Sequence, residues 1–173
     1  MTSIVHWGKF YPPDMGGIES VTASLARGAV AAGHDVTVVC FNKNEAPGQD
    51  CSDGVRVLRA AINITKASQP LGWQYLVWAL REGRAAQVVH MHAPNMLAAL
   101  AGVLLGSGPK LVVHWHSDVV NKGWMGKIVK PLEQALLRRA DRIVCTSQAY
   151  ADASLPLRPP HWSMPGSRPT SAR

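Results

Sequence analysis

Three groups of residues stand at spacings that do chemistry. The first is the pair Gly16 and Gly17 within KFYPPDMGGIESV, residues 9–21, between an apolar run and a helical pattern. A helix N-terminus presents unpaired N–H groups and a partial positive charge, and so attracts phosphate. Two glycines let an oxygen reach that backbone without meeting a Cβ. The structural reading of the same residues is a tight strand-to-helix turn that needs positive φ. Neither GxGxxG nor GxxxxGK[ST] is present, so the common nucleotide motifs do not decide between the two. Glu19, in the first helical turn, suits the helix dipole on either reading.

The second group is His90, His92, His114 and His116, followed by Asp118. Residues two apart on a strand share a face. Each histidine pair therefore points one way, and HxH…HxHxD offers ligands for a metal-dependent hydrolase. The same residues suit acid/base or hydrogen-bonding work. His90 and His114 fall inside their strands and are expected to pack in the core. His92 and His116 fall at the strand ends, where a site is expected. The third group is basic: Lys122, Lys127, Lys130, Arg138, Arg139 and Arg142, set against Glu133 and Asp141. With Trp124, Met125, Ile128, Val129, Leu132, Leu136 and Leu137 they make an amphipathic stretch. It is either a membrane-surface helix or a core-packed helix with a solvated basic face.

The elements that must position these groups alternate. Strands are predicted at 3–7, 35–41, 55–60, 87–92, 110–116 and 142–146. Helices are predicted at 17–32, 71–84, 95–105 and 124–140, with a short final helix opening at Ser147. The first helix shows Ile18, Val21, Leu25 and Ala29 on one face, and Gly33 stops it. Residues 42–54 read as a loop, and Pro131 as a kink or break. Apolar strands separated by helices give an α/β fold, a doubly wound parallel sheet covered on both faces. Ligands in such sheets bind beyond the carboxyl ends of the strands. That rule selects the loop 10–17 and the loops after His92 and His116.

At 173 residues with 47% hydrophobic and 17% charged residues, the composition is that of one globular domain. The net charge of +7 favours anionic partners: phosphates, nucleic acid or an anionic membrane surface. Nucleic acid has no supporting motif. Cys40, Cys51 and Cys145 form no CxxC pair, which argues for reduced thiols in a cytosolic protein rather than a disulfide framework. SIVHW is too short for a signal peptide, and Met96–Leu105 is too short to span a membrane. From 154 to 173 the chain turns rich in proline, arginine and serine, and is expected to be a disordered tail behind a domain at 1–153.

GKFYPPDMGGIESVTASLARGAVAAGHDVTVVC, HMHAPN, VVHWHSDVV and PLEQALLRRADRIVCTSQAY resemble, in order, blocks of the N-terminal domain of glycosyltransferase family 4. These are retaining sugar-nucleotide transferases with the two-domain, Rossmann-like GT-B fold. The resemblance spans roughly residues 3–153. It implies that Gly16 and Gly17 lie against the donor's diphosphate. It implies that His116 sits near the sugar as the catalytic or positioning histidine, with Ser117, Asp118 and His92 on the acceptor side. It implies a nucleotide-sugar donor, a glycan or lipid-linked acceptor in polysaccharide biosynthesis, and neither cofactor nor metal. The expected location is cytoplasmic, peripheral on the inner face of the cytoplasmic membrane. The donor-binding C-terminal domain of that family has no counterpart in these residues. The chain thus reads as truncated, with a separately encoded second domain as a candidate partner. A non-catalytic acceptor- or membrane-binding remnant is the alternative.

Overall fold

A computed structural model describes residues 1–43, 46–66, 69–117 and 126–147, together with residues 152, 154 and 157. The tail expected from 154 onward and the final helix expected after Ser147 fall almost wholly outside these residues. A seven-stranded sheet forms the centre. In chain order its strands are β1 (Ser3–Trp7), β2 (Asp35–Phe41), β3 (Gly48–Ser52), β4 (Val55–Ala60), β7 (Val88–Ala93), β8 (Lys110–Trp115) and β9 (Arg142–Cys145). Their spatial order is β3-β4-β2-β1-β7-β8-β9. All neighbours are parallel except β3 with β4. A small antiparallel pair, β5 (Ile64–Lys66) and β6 (Gln69–Leu71), lies apart from the sheet. The helices are α1 (Gly17–Ala31), α2 (Trp73–Ala85), α3 (Met96–Leu104) and α4 (Gly126–Arg139).

Strand alternation sorts the core into two layers. On one face Val36, Val38, Cys40 and Val57 pack against Ala23 and Ala26 of α1. On the other, Trp7, Phe41, Met91, Val113 and Trp115 join Tyr75 and Ala79 of α2, Ala98 and Ala101 of α3, and Leu136 and Leu137 of α4. The chain winds outward from β1 to β2 and β4, then returns to the other side of β1 to make β7, β8 and β9. The order therefore reverses between β1 and β7. A crevice opens beyond their carboxyl ends at such a switch point, and ligands settle there.

The structure corrects four sequence expectations. Residues 42–54 contain a strand: β3 pairs with β4 through the two-residue turn Asp53–Gly54, with φ of 54° and 77°. Asp-Gly is a strong hairpin signal, but β3 is polar and lies at the sheet edge, so apolar periodicity does not reveal it. α4 runs as one helix through Pro131, which overturns the break between two shorter helices. The buried residues of α1 are Thr22, Ala23 and Ala26, whereas Leu25 is 39% exposed. Small side chains let that helix lie close on the sheet, and Thr22 returns its hydroxyl proton to the Ile18 carbonyl at 2.8 Å. Finally, His90 and His114 are only half-buried, while His92 is 1% exposed. The core-facing residues of β7 and β8 are the ones that alternate with the histidines, among them Met91, Val113 and Trp115.

Candidate functional site

The loop after β1 carries the glycines, and cross-chain hydrogen bonds fix its course. Gly8 N–H donates to the Val39 carbonyl, and Phe41 N–H to the Lys9 carbonyl. The Gly8 carbonyl accepts from Tyr75 Oη and from Asn95 Nδ2, each at 3.0 Å. Asn95 also accepts from Ala98 N–H as the N-cap of α3. One buried amide thus ties the glycine loop to the start of α3, across the switch point. Arg59, 9% exposed, completes the clamp. Its guanidinium donates to the carbonyls of Tyr11 (3.1 Å) and Pro12 (2.5 Å) and pairs with Asp50 at 2.8 Å. The Pro12–Pro13 and Ala93–Pro94 peptide bonds are cis.

Neither glycine of the pair needs positive φ. Gly16 is extended, with φ 172°, and Gly17 begins α1. A Cβ at Gly17 would meet nothing within 4 Å, and one at Gly16 would meet the mobile end of Glu19. The turn geometry therefore does not account for the pair, which corrects the strand-to-helix reading. Among charged groups, Lys43, two residues beyond the carboxyl end of β2, reaches this loop, pairing with Asp14 at 3.1 Å and standing 4.8 Å over the Phe10 ring.

Beside the loop, five imidazoles share one face of the sheet: His6 of β1, His90 and His92 of β7, and His114 and His116 at the end of β8. His6 Nδ1 lies 3.1 Å from His92 Nε2, and His92 Nδ1 lies 3.1 Å from His116 Nε2. His90 stacks on His92 at 4.7 Å and His114 on His116 at 4.0 Å. Burial holds these groups neutral. His6 is pushed down to about 3 by burial and then by His90 and His114. His90 and His116 are pushed to about 4, by burial first and by neighbouring imidazoles second. His92 is lowered furthest, and His114 is lowered too, both by burial first. Donor nitrogens of His6, His90 and His92 lie within 4.8 Å of one another, as do those of His92, His114 and His116. Among the described residues, these trios could hold a metal ion. Ser117 is exposed, and Asp118 lies outside the described residues.

On the opposite face an apolar cavity opens between α3 and α4, lined by Met91, Ala93, Trp115, Leu132 and Leu136. The basic residues of α4 divide. Arg139 donates to the carbonyls of Gly106 and Pro109 and pairs with Asp141 at 3.2 Å, which is structural work. Lys130 and Arg138 are exposed, while Val129, Leu136 and Leu137 are buried. Lys122, Trp124 and Met125 lie outside the described residues. No helix among the described residues is long and apolar enough to cross a membrane.

His6, Asn95, Arg59 and Lys43 are absent from the sequence-derived site. Asn95 carried a signal, an Asn directly before an apolar helix. Lys43 and Arg59 carried none, because only the folded sheet brings β2 and β4 to the glycine loop.

The family model described as Glycosyltransferase Family 4 matches residues 15–160. The chain belongs to glycosyltransferase family 4. It is 29% identical over 156 residues to the D-rhamnosyltransferase WbpZ of Pseudomonas aeruginosa, covering 90% of this chain and 41% of that protein. It is 26% identical over 149 residues to the O-antigen chain mannosyltransferase C of Escherichia coli, covering 86% and 40%. The family 4 chain thus spans about two fifths of the length of these curated relatives. In fold it matches the sucrose-phosphate synthase of Thermosynechococcus elongatus at TM-score 0.61 and 17% identity, over 88% of this chain and 45% of that one. An alpha-glucosyltransferase solved with UDP and DNA matches at TM-score 0.52 and 12% identity, over 87% and 38%. The resemblance read from the four sequence blocks is borne out in both family and GT-B-type fold.

Proposed function

We propose that this family 4 domain forms one wall of a sugar-transfer site. Gly16 and Gly17 receive the diphosphate of a nucleotide-sugar donor, and His116 faces the transferred sugar. The observation that carries this reading is the glycine pair. Both backbones are accessible to any residue, so the missing side chains serve an outside group that must come close to α1's N-terminus. Lys43 and Lys9 beside Phe10 add positive charge to the loop. Glu19 must swing from Gly16 as the phosphates enter. A neutral His116 donates or accepts one hydrogen bond without placing charge against the sugar.

The reaction is transfer of a hexose, with retained anomeric configuration and no metal, to a lipid-linked or growing polysaccharide acceptor. The named relatives, a rhamnosyltransferase and an O-antigen chain mannosyltransferase, support that acceptor class. The apolar cavity between α3 and α4 suits the hydrocarbon part of a lipid-linked acceptor, and exposed Lys130 and Arg138 suit an anionic membrane face. Turnover requires a donor-side domain to bury the nucleotide and exclude water.

The test is nucleoside diphosphate binding followed by NMR at the Gly16 and Gly17 amides. The expected result is weak, saturable binding that moves both amides and that Gly17→Ala abolishes. That variant introduces a methyl into open space and leaves the fold intact. Amides that stay in place up to millimolar nucleotide would refute the reading.

A further inference from the structure

We propose that His6 and His92 are positioning residues, the inner members of a three-imidazole line that dictates which nitrogen of His116 carries the proton. This rests on the reading that His116 faces the sugar. In the parallel ladder His6 is level with His90, and His92 is level with His114. The hydrogen-bonded line instead runs His6–His92–His116. It advances two residues at each strand and climbs from a buried position in β1 to the carboxyl edge of β8.

Both links are built alike. The N···N distances are 3.1 Å, the ring centroids stand 5.5 and 5.4 Å apart, and the planes are inclined by 22° and 20°. Each centroid separation is little more than the N···N distance plus two ring radii, so the rings meet nitrogen to nitrogen, edge to edge. Stacked His90 and His114 hold the line flat. A neutral imidazole has one N–H and one acceptor nitrogen. His92 uses both of its nitrogens in the line, so the two links must point the same way. In one state Nδ1–H of His6 donates to His92, Nδ1–H of His92 donates to His116, and His116 is protonated on Nδ1. In the other, Nε2–H of His116 donates to His92, Nε2–H of His92 donates to His6, and Nδ1 of His116 is a bare lone pair. All three rings share one tautomer in either state. The nitrogen of His116 left over for substrate is a donor or an acceptor according to a residue two strands away.

The same nitrogens within 4.8 Å invite a metal, but the geometry favours the hydrogen bond. A zinc ion sits about 2.0–2.1 Å from each ligand nitrogen at a tetrahedral angle, off the line between them. Here the ring planes aim the nitrogens at each other.

The test is long-range 1H–15N NMR of the full 173-residue chain labelled at histidine. The expected result is one shared tautomer at His6, His92 and His116, scalar coupling across both N–H···N links, and a shift of the His116 ring nitrogens in His6→Phe. Mixed tautomers among the three rings, absent coupling, a His116 signal indifferent to His6→Phe, or one equivalent of tightly bound zinc replacing the line's protons would each overturn it. The wild-type coupling decides the matter even if His6→Phe does not fold. No donor or acceptor enters this experiment, so its failure is separate from failure of nucleotide binding at the glycines.

Discussion

Acid should dismantle this domain early. His6 is held at about 3 in the folded chain, against an ordinary 6.5, because it is 2% exposed and faces His90 and His114. The unfolded chain takes up a proton on this ring as pH falls through 6.5, and the folded chain does not. Stability associated with His6 is therefore fully present above pH 6.5 and drains away below it, down to about pH 3. At pH 5 the loss from one such group is about 2 kcal/mol, since each pH unit is worth about 1.4 kcal/mol. His92, 1% exposed and lowered further, adds about the same at that pH. The pair alone costs about 4 kcal/mol, a large part of the roughly 5–15 kcal/mol that holds a domain together. The half-buried His90, His114 and His116 push in the same direction with more solvent screening. Urea unfolding followed by circular dichroism at pH 7.5, 6.5, 5.5 and 5 measures the effect. With a slope of about 2 kcal/mol per molar urea, the midpoint should fall by about 2 M between pH 7.5 and 5. His6→Phe should lower the pH dependence below 6.5 by about 1.4 kcal/mol per unit. A midpoint that is level across this range, or that rises toward acid, would refute the burial argument.

Two further predictions concern the scaffold. Asn95→Ala removes the α3 cap and the amide's hydrogen bonds to the Gly8 carbonyl and the Tyr75 hydroxyl, and should cost about 2–3 kcal/mol in thermal unfolding. Asn95→Asp restores the cap acceptor but sets a carboxylate against the Gly8 carbonyl, so it should recover only part of that loss. Gly28→Ala, in α1 with nothing within 4 Å, should stabilise by about 0.5–1 kcal/mol through helix propensity. Gly83→Ala in α2 should instead destabilise by about 1–3 kcal/mol, because its methyl would stand 2.6 Å from the buried Trp7 ring. The difference in urea midpoint between the two alanines checks this.

The sheet was largely legible because its central strands are buried on at least one face. DVTVVCF and KLVVHW are β-branched or aromatic runs bounded by turn residues, and β2 and β8 follow them closely. The misses have local causes. β3 is polar because it is an edge strand, and only its Asp53–Gly54 turn betrays it. The most buried residues of α1 are alanine and threonine, so ranking positions by hydrophobicity selects a neighbouring stripe, of which Ile18, Val21 and Ala29 are half-buried and Leu25 is exposed. In β7, the imidazole of His92 is more hidden than the identical ring of its neighbour His90, an ordering that depends on what lies over the sheet and not on position along the strand.

Local sequence thus determined the order of strands and helices, the glycine pair ahead of α1, and membership of glycosyltransferase family 4. Each of these is written in neighbouring residues through period, turn chemistry or block order. The tertiary structure alone decided that His6 joins His92 and His116, that Arg59 and Asn95 hold the glycine loop, and that Lys43 reaches it. Those contacts depend on strand register and on the reversal of strand order at β1. Register is fixed by backbone ladders between segments as many as 84 residues apart, Ile4 with Val88 among them, and no local window of sequence contains both sides of such a ladder.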